Sequence, residues 1–181
     1  KKSTKIIAIS EIQKSELSKI HKICPEKKIE VIPLGFDLER FNTDKDSKRK
    51  EFRKKWNLKE NEIAIGIIGR LVPIKNHTFF IDAIQEVIKY SKVPIRAFIV
   101  GDGEEKQNII NYIKNKKLDF SLDYSPATFH LTSWIKEIDK VNSGMDIICL
   151  TSLNEGTPVS LIEAQASGKP IVSTKTGGIE N

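Results

Sequence analysis

Residues 63–90 read IAIGIIGRLVPIKNHTFFIDAIQEVIKY. Ile63 to Gly69 is almost continuous isoleucine, the composition of a strand buried on both of its faces. From Asn76 onward Phe80, Ala83, Ile84, Val87 and Ile88 recur at helical spacing, with Asn76 placed to cap the helix. A strand that must be covered on two sides, followed at once by an amphipathic helix, is a unit of a parallel sheet.

The same alternation continues outward in both directions. Toward the carboxyl end come a strand at Ile95 to Val100, a helix from Glu104 to Lys116 with Ile109, Ile110 and Ile113 inward, a strand at Thr128 to Leu131, and a short helix at Ile135 to Val141. A buried strand at Met145 to Leu150, a helix from Val159 to Ser167 ended by Gly168, and a strand at Pro170 to Ser173 complete that side. The segment Leu118 to Pro126 (LDFSLDYSP) shows no readable period. Toward the amino end Lys50 to Trp56 forms a short helix after the polar run Asn42 to Lys50. Before it, a strand at Ile6 to Ile9, a helix capped by Ser10, and a strand at Ile29 to Pro33 make a strand-helix-strand piece. The order predicts an α/β fold: a doubly wound parallel sheet with helices on both faces, joined by right-handed crossovers. There are no internal repeats and no low-complexity tracts.

The chain has 181 residues, 39% of them apolar, with 30 Lys and Arg against 24 Asp and Glu and a net charge of +6. That length makes one domain with a real core, too short for two full-sized nucleotide-handling domains. The isoleucine blocks bury enough surface to exclude disorder. No apolar stretch approaches the roughly 20 residues of a membrane span, and the start, with Lys1, Lys2 and Lys5 before a brief apolar block, lacks the long apolar core of a signal peptide. Cys24 and Cys149 lack metal or disulfide-framework spacing, as do His21, His77 and His130 for metal, so the expectation is free thiols in the cytoplasm and no metal site. The basic residues lie along helix-like segments and read mainly as solvated faces, compatible with peripheral contact to an anionic membrane but not pointing to nucleic acid.

In an open parallel sheet ligands bind beyond the carboxyl ends of the strands, so the loops there carry the chemistry. After Gly69 the loop Arg70-Leu71-Val72-Pro73-Ile74-Lys75 sets two cations five residues apart around a stiffening proline, a fork of donors and a compact ammonium suited to diphosphate oxygens. After Leu150 the loop TSLNEGTP leads into a helix. Gly156 admits close backbone approach, Pro158 presets the first turn, and free N–H groups there favour anions. Glu155 in the loop and Glu163 in the helix can accept hydrogen bonds from sugar hydroxyls. Ser160 and Glu163 also fit a capping box, which needs no ligand. Gly101-Asp102-Gly103 reads as a tight strand-to-helix turn, because the third glycine of a dinucleotide fingerprint would fall at Lys106.

Taken together, IIAIS, IEVIPLGFDLERF, IGIIGRLVPIKN, FIVGDGEE, MDIICLTSLNEGTPVSLIEAQASGKPIVST and TGGIEN resemble, in order, the nucleotide-sugar-binding half of a retaining GT-B glycosyltransferase of the family 4 type. The most specific match is EGTPVSLIE, the E-x7-E signature, reinforced by Arg70 and Lys75. The resemblance implies a Rossmann-like domain in which Arg70 and Lys75 hold the donor diphosphate as it departs, Glu155 meets the donor sugar and Glu163 the ribose. Backbone from Gly156, Thr157, Pro158 and Val159 completes the phosphate cradle, while Gly101 and Gly103 keep the adjoining wall low and Gly69 is among the donor-binding residues. It further implies no metal and no cofactor beyond the nucleoside diphosphate sugar, UDP being the commonest nucleotide, with base-recognising backbone near Thr132 to Ile135. The transferred group would be a hexose or N-acetylhexosamine, the acceptor a glycan or lipid-linked glycan, and the setting cell-surface polysaccharide or glycolipid assembly at the cytoplasmic face of a membrane.

By the same resemblance residues 1–34 are a remnant of an amino-terminal acceptor domain, and residues 35–181 are a nucleotide-sugar-binding domain cut short at its carboxyl end. The expectation is that the isolated chain binds nucleotide without transferring sugar. Two other readings remain at this point, a non-catalytic Rossmann-like nucleotide-binding module and a GT-B-fold sugar-nucleotide epimerase.

Overall fold

A computed structural model describes residues 3–180; Lys1, Lys2 and Asn181 lie outside the described residues. The isoleucine-rich strand is β3 (Ile63–Ile68), and it lies in the middle of a six-stranded sheet. With β4 (Ile95–Val100), β5 (Phe120–Ser121), β6 (Phe129–Ser133), β7 (Ile147–Leu150) and β8 (Ile171–Ser173), the order is β5-β6-β4-β3-β7-β8 and every pairing is parallel. A separate two-stranded parallel sheet pairs β1 (Ile6–Ala8) with β2 (Ile29–Val31).

Alternation along β3 divides the core in two. Ile65 and Ile67 point to one face, where they meet Phe80, Ile81 and Ile84 of α4 (His77–Tyr90) and Ile109, Ile110 and Ile113 of α5 (Lys106–Asn115). Ala64 and Ile68 point to the other, where Phe52, Val141, Met145 and Leu161 pack on Phe98 and Ile148. Those partners come from α3 (Lys45–Lys55), α6 (Ile138–Gly144), its C-cap Met145, and α7 (Val159–Ala166). Helices therefore cover both faces, as the pattern of a doubly wound sheet requires.

Several local expectations change. The helix α3 starts at Lys45, five residues before the expected start at Lys50. It has few apolar residues because part of its inward face is polar: Arg49 and Arg53, one turn apart, donate to the Asp146 carboxylate at 2.7 and 3.3 Å. The Ala64 N–H donates to the same carboxylate at 2.8 Å. The unreadable segment holds β5, two residues long, at the sheet edge. Ser10 caps α1 (Glu11–Ser15) as expected, accepting from the Gln13 N–H at 3.1 Å, and α1 runs on into a π-helical turn, Glu16–Ile20. Asn76 does not cap α4 with its side chain. It sits in the left-handed region at φ 50° and accepts from the Thr78 hydroxyl at 3.2 Å instead. Among the described residues no helix is long and apolar enough to cross a membrane.

Candidate functional site

The chain leaves β3 toward β4 and β6 on one side, then returns to place β7 and β8 on the other. The order therefore reverses between β3 and β7, and in sheets of this kind ligands bind beyond the carboxyl ends of the strands at such a reversal. Arg70 and Lys75 follow β3, whereas Glu155 and Glu163 follow β7.

Small polar residues just after β7 tie its loop to the β3 loop. The Thr151 hydroxyl donates to the Lys75 and Asn76 carbonyls at 3.0 and 3.1 Å, and the Leu153 N–H donates to the Ile74 carbonyl at 2.8 Å. Lys75 Nζ lies 2.5 Å from Glu155 Oε1, and the Ser152 hydroxyl donates to the same oxygen at 2.5 Å. The Glu155 side chain is only 8% exposed and that of Lys75 22%, so this ion pair is largely withdrawn from water and its geometry is fixed. Oε2 of Glu155 takes no partner among the described residues and remains an open acceptor. Behind the loop, the Gly178 N–H donates to the Glu155 carbonyl at 2.9 Å and the Thr174 hydroxyl to the Ser152 carbonyl at 2.6 Å.

Arg70 differs from Lys75. It is exposed and its side chain makes no hydrogen bond or ion pair among the described residues, so its five donors face solvent. His77, at the start of α4, is buried, and burial, followed by the Lys75 charge, pushes its imidazole down to about 4. It is neutral near pH 7, and the positive charge of this loop comes from Arg70 and Lys75.

Across the crevice, the capping box expected from Ser160 and Glu163 is not formed. Helix α7 starts at Val159 with Pro158 at its cap position, so Ser160 already lies inside the first turn and no side chain caps the helix. The Glu163 carboxyl is half-buried and unbonded, raised above its ordinary value by burial against an opposing pull from the Arg40 charge of α2 (Glu39–Asn42). Of the amides at this turn, the Val159 N–H donates to the Thr157 carbonyl at 2.9 Å, and Pro158 has none. Among the described residues the N–H groups of Gly156, Thr157 and Ser160 take no partner, and a Cβ built on Gly156 would meet only open space.

Gly101 and Gly103 let two loops lie backbone to backbone. A Cβ on Gly101, whose φ is +146°, would fall 1.9 Å from the Gly69 carbonyl oxygen, and one on Gly103 would fall 2.3 Å from that of Leu71. The Leu71 N–H donates to the Asp102 carbonyl at 3.0 Å, closing that seam. A Cβ on Gly69 would make only an ordinary contact with the Lys75 chain at 3.7 Å. Sequence reasoning missed Thr151, Ser152 and Arg40. The Thr-Ser pair directly after a buried strand was the available signal, whereas Arg40 carried none because it arrives from a distant turn.

Among the described residues no cluster of three His, Cys, Asp or Glu could hold a metal. A small polar cavity of about 130 Å³ lies beside the Glu155 loop, bounded by Ser10, Gln13 and Glu16 on one wall and by Asn154, Gly156 and Gly177 on the other. The arrangement offers a free guanidinium, a paired ammonium and open amides for an anion, and two carboxylates with unused acceptor sites for hydroxyls.

Comparison with known proteins bears on the family and the fold. The model of the family "Glycosyl transferases group 1" matches residues 48–181. The UDP-Gal:alpha-D-GlcNAc-diphosphoundecaprenol alpha-1,3-galactosyltransferase of Escherichia coli is 35% identical over 153 residues, covering 83% of this chain and 38% of that protein. A D-inositol 3-phosphate glycosyltransferase of Segniliparus rotundus is 26% identical over 182 residues, 98% of this chain and 38% of its own length. The chain thus spans well under half the length of these relatives. In solved structures, Anabaena HepE in complex with UDP and glucose superposes with a TM-score of 0.79 at 22% identity, over 98% of this chain and 46% of that one. WaaG, a glycosyltransferase involved in lipopolysaccharide biosynthesis, does so with a TM-score of 0.79 at 19% identity, again over 98% and 46%. At these identities the two superpositions speak for the fold, the Rossmann-like α/β domain of GT-B glycosyltransferases. With the family model running from within α3 to the end of the chain, this protein belongs to the glycosyl transferases group 1 family.

Proposed function

We propose that this chain is the donor-binding part of a retaining, family 4 type transferase that moves a hexose or N-acetylhexosamine from a nucleoside diphosphate sugar to a glycan or lipid-linked acceptor. The observation that carries the reading is the joined pair of loops at the β3/β7 reversal, which carries to one end of the sheet Arg70, without a side-chain partner among the described residues, the ordered Lys75–Glu155 pair and open amides. Breaking the anomeric C–O bond sends its electron pair to the departing diphosphate. Cations and amide dipoles already in place stabilise that developing charge without reorganising. Arg70, Lys75 and the Gly156, Thr157 and Ser160 amides supply this in the proposed reaction, with no metal and no further cofactor. Glu155 Oε2 accepts from the donor sugar, and Glu163, free of any cap, accepts from the ribose diol.

UDP is the proposed nucleotide, supported by the UDP-galactose donor named for the Escherichia coli relative. Its diphosphoundecaprenol acceptor supports a lipid-linked acceptor here, in cell-surface glycan assembly at the cytoplasmic side of a membrane, where the +6 charge favours peripheral contact with anionic lipid. Residues 1–34 are proposed as part of an acceptor domain and residues 35–181 as the nucleotide-sugar-binding domain. The exposed Ile7, Ile12, Ile20, Ile23 and Ile32 on the two-stranded unit support packing against further polypeptide. The isolated chain is accordingly proposed to bind nucleotide without transferring sugar. Titration calorimetry with UDP, GDP and ADP, compared between the chain and Arg70→Ala and Glu163→Ala, tests the reading. Binding of one nucleoside diphosphate that both substitutions weaken is expected, and transfer by the isolated chain would refute its proposed inactivity.

A further inference from the structure

Helix α3 reads KDSKRKEFRKK, seven Lys and Arg against Asp46 and Glu51, so this one helix carries +5 of the chain's net charge of +6. Part of that charge is used inside the fold. Arg49 and Arg53 share the Asp146 carboxylate, Lys48 Nζ lies 2.9 Å from the Asp139 carboxylate, and Lys45 Nζ donates to the Asn42 side-chain carbonyl at 2.9 Å. Arg49 also donates to the Gly144 and Met145 carbonyls at 3.3 and 3.2 Å, where a cation offsets the partial negative charge at the end of α6. Lys50, Lys54 and Lys55 are left over. All three are exposed, and Lys50 and Lys54 make no hydrogen bond or ion pair among the described residues. These two stand one turn apart, the spacing at which like charges repel. With Arg49 and Arg53 they line an open hollow of about 670 Å³, in which the only carboxylates are those of Asp46 and Glu60.

Exposed apolar surface adjoins these lysines. Lys55 Nζ is 5.1 Å from the centre of the Tyr124 ring, and the Asn57 side-chain amide donates to the Tyr124 carbonyl at 3.2 Å. Tyr124 is 45% exposed, and Leu122, just after the edge strand β5, is 56% exposed. Lysines bordered by an aromatic and an aliphatic side chain suit the headgroup layer of a bilayer. The ammonium groups meet lipid phosphates, and Tyr and Leu rest where apolar and wet surroundings join. A bare polyanion would engage the lysines and leave Leu122 in water.

We infer that the outer face of α3 from Lys50 to Lys55, with Leu122 and Tyr124 beside it, is a docking surface for an anionic lipid bilayer. This rests on the proposal that the chain works at a membrane on a lipid-linked acceptor, and it gives that contact a place. Helix α3 covers one face of the sheet, whereas the donor crevice is at the carboxyl ends of the strands. The bilayer therefore meets a flank of the domain, and nucleotide binding is independent of these lysines.

The test sediments the full chain with vesicles of phosphatidylcholine alone and of an equal mixture with phosphatidylglycerol. Beside it run Lys50→Glu/Lys54→Glu and a control with the same change of net charge, Lys27→Glu/Lys92→Glu, at two exposed lysines elsewhere. The chain is expected to bind the mixed vesicles but not the neutral ones, and to be released at about 0.5 M salt, where charge attraction is screened. Lys50→Glu/Lys54→Glu is expected to weaken that binding by about tenfold or more, and the control by less than about threefold. Both variants are expected to keep the urea midpoint and the UDP affinity of the chain. Equal losses in the two variants would overturn the assignment to α3. No binding of the chain to mixed vesicles would overturn the membrane contact itself, while UDP titration of the same protein reports separately on the donor site. Tighter binding of a single-stranded oligonucleotide than of mixed vesicles at equal phosphate concentration, lost in Lys50→Glu/Lys54→Glu, would give the surface to nucleic acid and overturn the inference.

Discussion

Glu155 and Glu163 lie eight positions apart in one signature, yet the fold gives them opposite surroundings. Glu155 is fixed by Lys75 and Ser152, whereas the Glu163 carboxyl is half-buried with no hydrogen bond among the described residues. Glu155→Ala leaves the Lys75 ammonium largely buried without a counter-ion and is expected to cost about 1–3 kcal/mol in urea unfolding. Glu163→Gln removes no partner and is expected to change stability by less than about 0.5 kcal/mol. The sequence made both carboxylates visible as candidates, but their difference depends on Ser152 and on a helix start two residues earlier than a capping box requires. Histidine chemistry was equally hidden. Burial, as the leading cause, lowers both His77 and His130 to about 4, whereas the ordinary value is 6.5. The unfolded chain therefore binds more protons than the folded one between these values. Their contribution is complete above about pH 6.5 and is lost progressively as pH falls to about 4. Urea midpoints measured at pH 7, 5.5 and 4 are expected to fall in that order, and less steeply in His77→Gln.

At the scale of elements, the strands and the amphipathic helices were legible because hydrophobic periodicity is a local property. Helix α3 and strand β5 were not, for different reasons. In α3 two inward positions, Arg49 and Arg53, are polar, and their partner Asp146 lies more than ninety residues away. Asp146→Ala is expected to cost about 3 kcal/mol by leaving two guanidinium groups without their carboxylate, read as a loss of urea midpoint with an unchanged slope. Strand β5 is two residues long, too short to show a period. Its following loop is held by contacts that no local pattern announces, Tyr124 on Trp56 at 4.6 Å and the Asn57 side-chain amide donating to the Tyr124 carbonyl at 3.2 Å. The seam between the β3 and β4 loops is sharper still. Gly101→Ala places a methyl 1.9 Å from the Gly69 carbonyl at a φ that alanine resists. It is expected to destabilise the chain by about 2–4 kcal/mol and to weaken diphosphate binding by displacing Arg70.

For the whole molecule, fold class and crevice follow from one topological fact, the reversal of strand order between β3 and β7. The sequence supports that reversal only indirectly, since alternation of strands and helices does not state their order in the sheet. Once the order is known, residues separated by eighty positions, Lys75 and Glu155, become an ion pair across the candidate donor site. The central claim is that this crevice binds a nucleoside diphosphate through Arg70, and the most direct measurement is calorimetric titration of UDP, with pyrophosphate alongside, into the chain and Arg70→Ala. The account predicts that both ligands bind the chain and that Arg70→Ala weakens each by about tenfold or more, the scale of a lost charge-assisted pair. Equal affinity of the two proteins for UDP, or no binding by either, would contradict it.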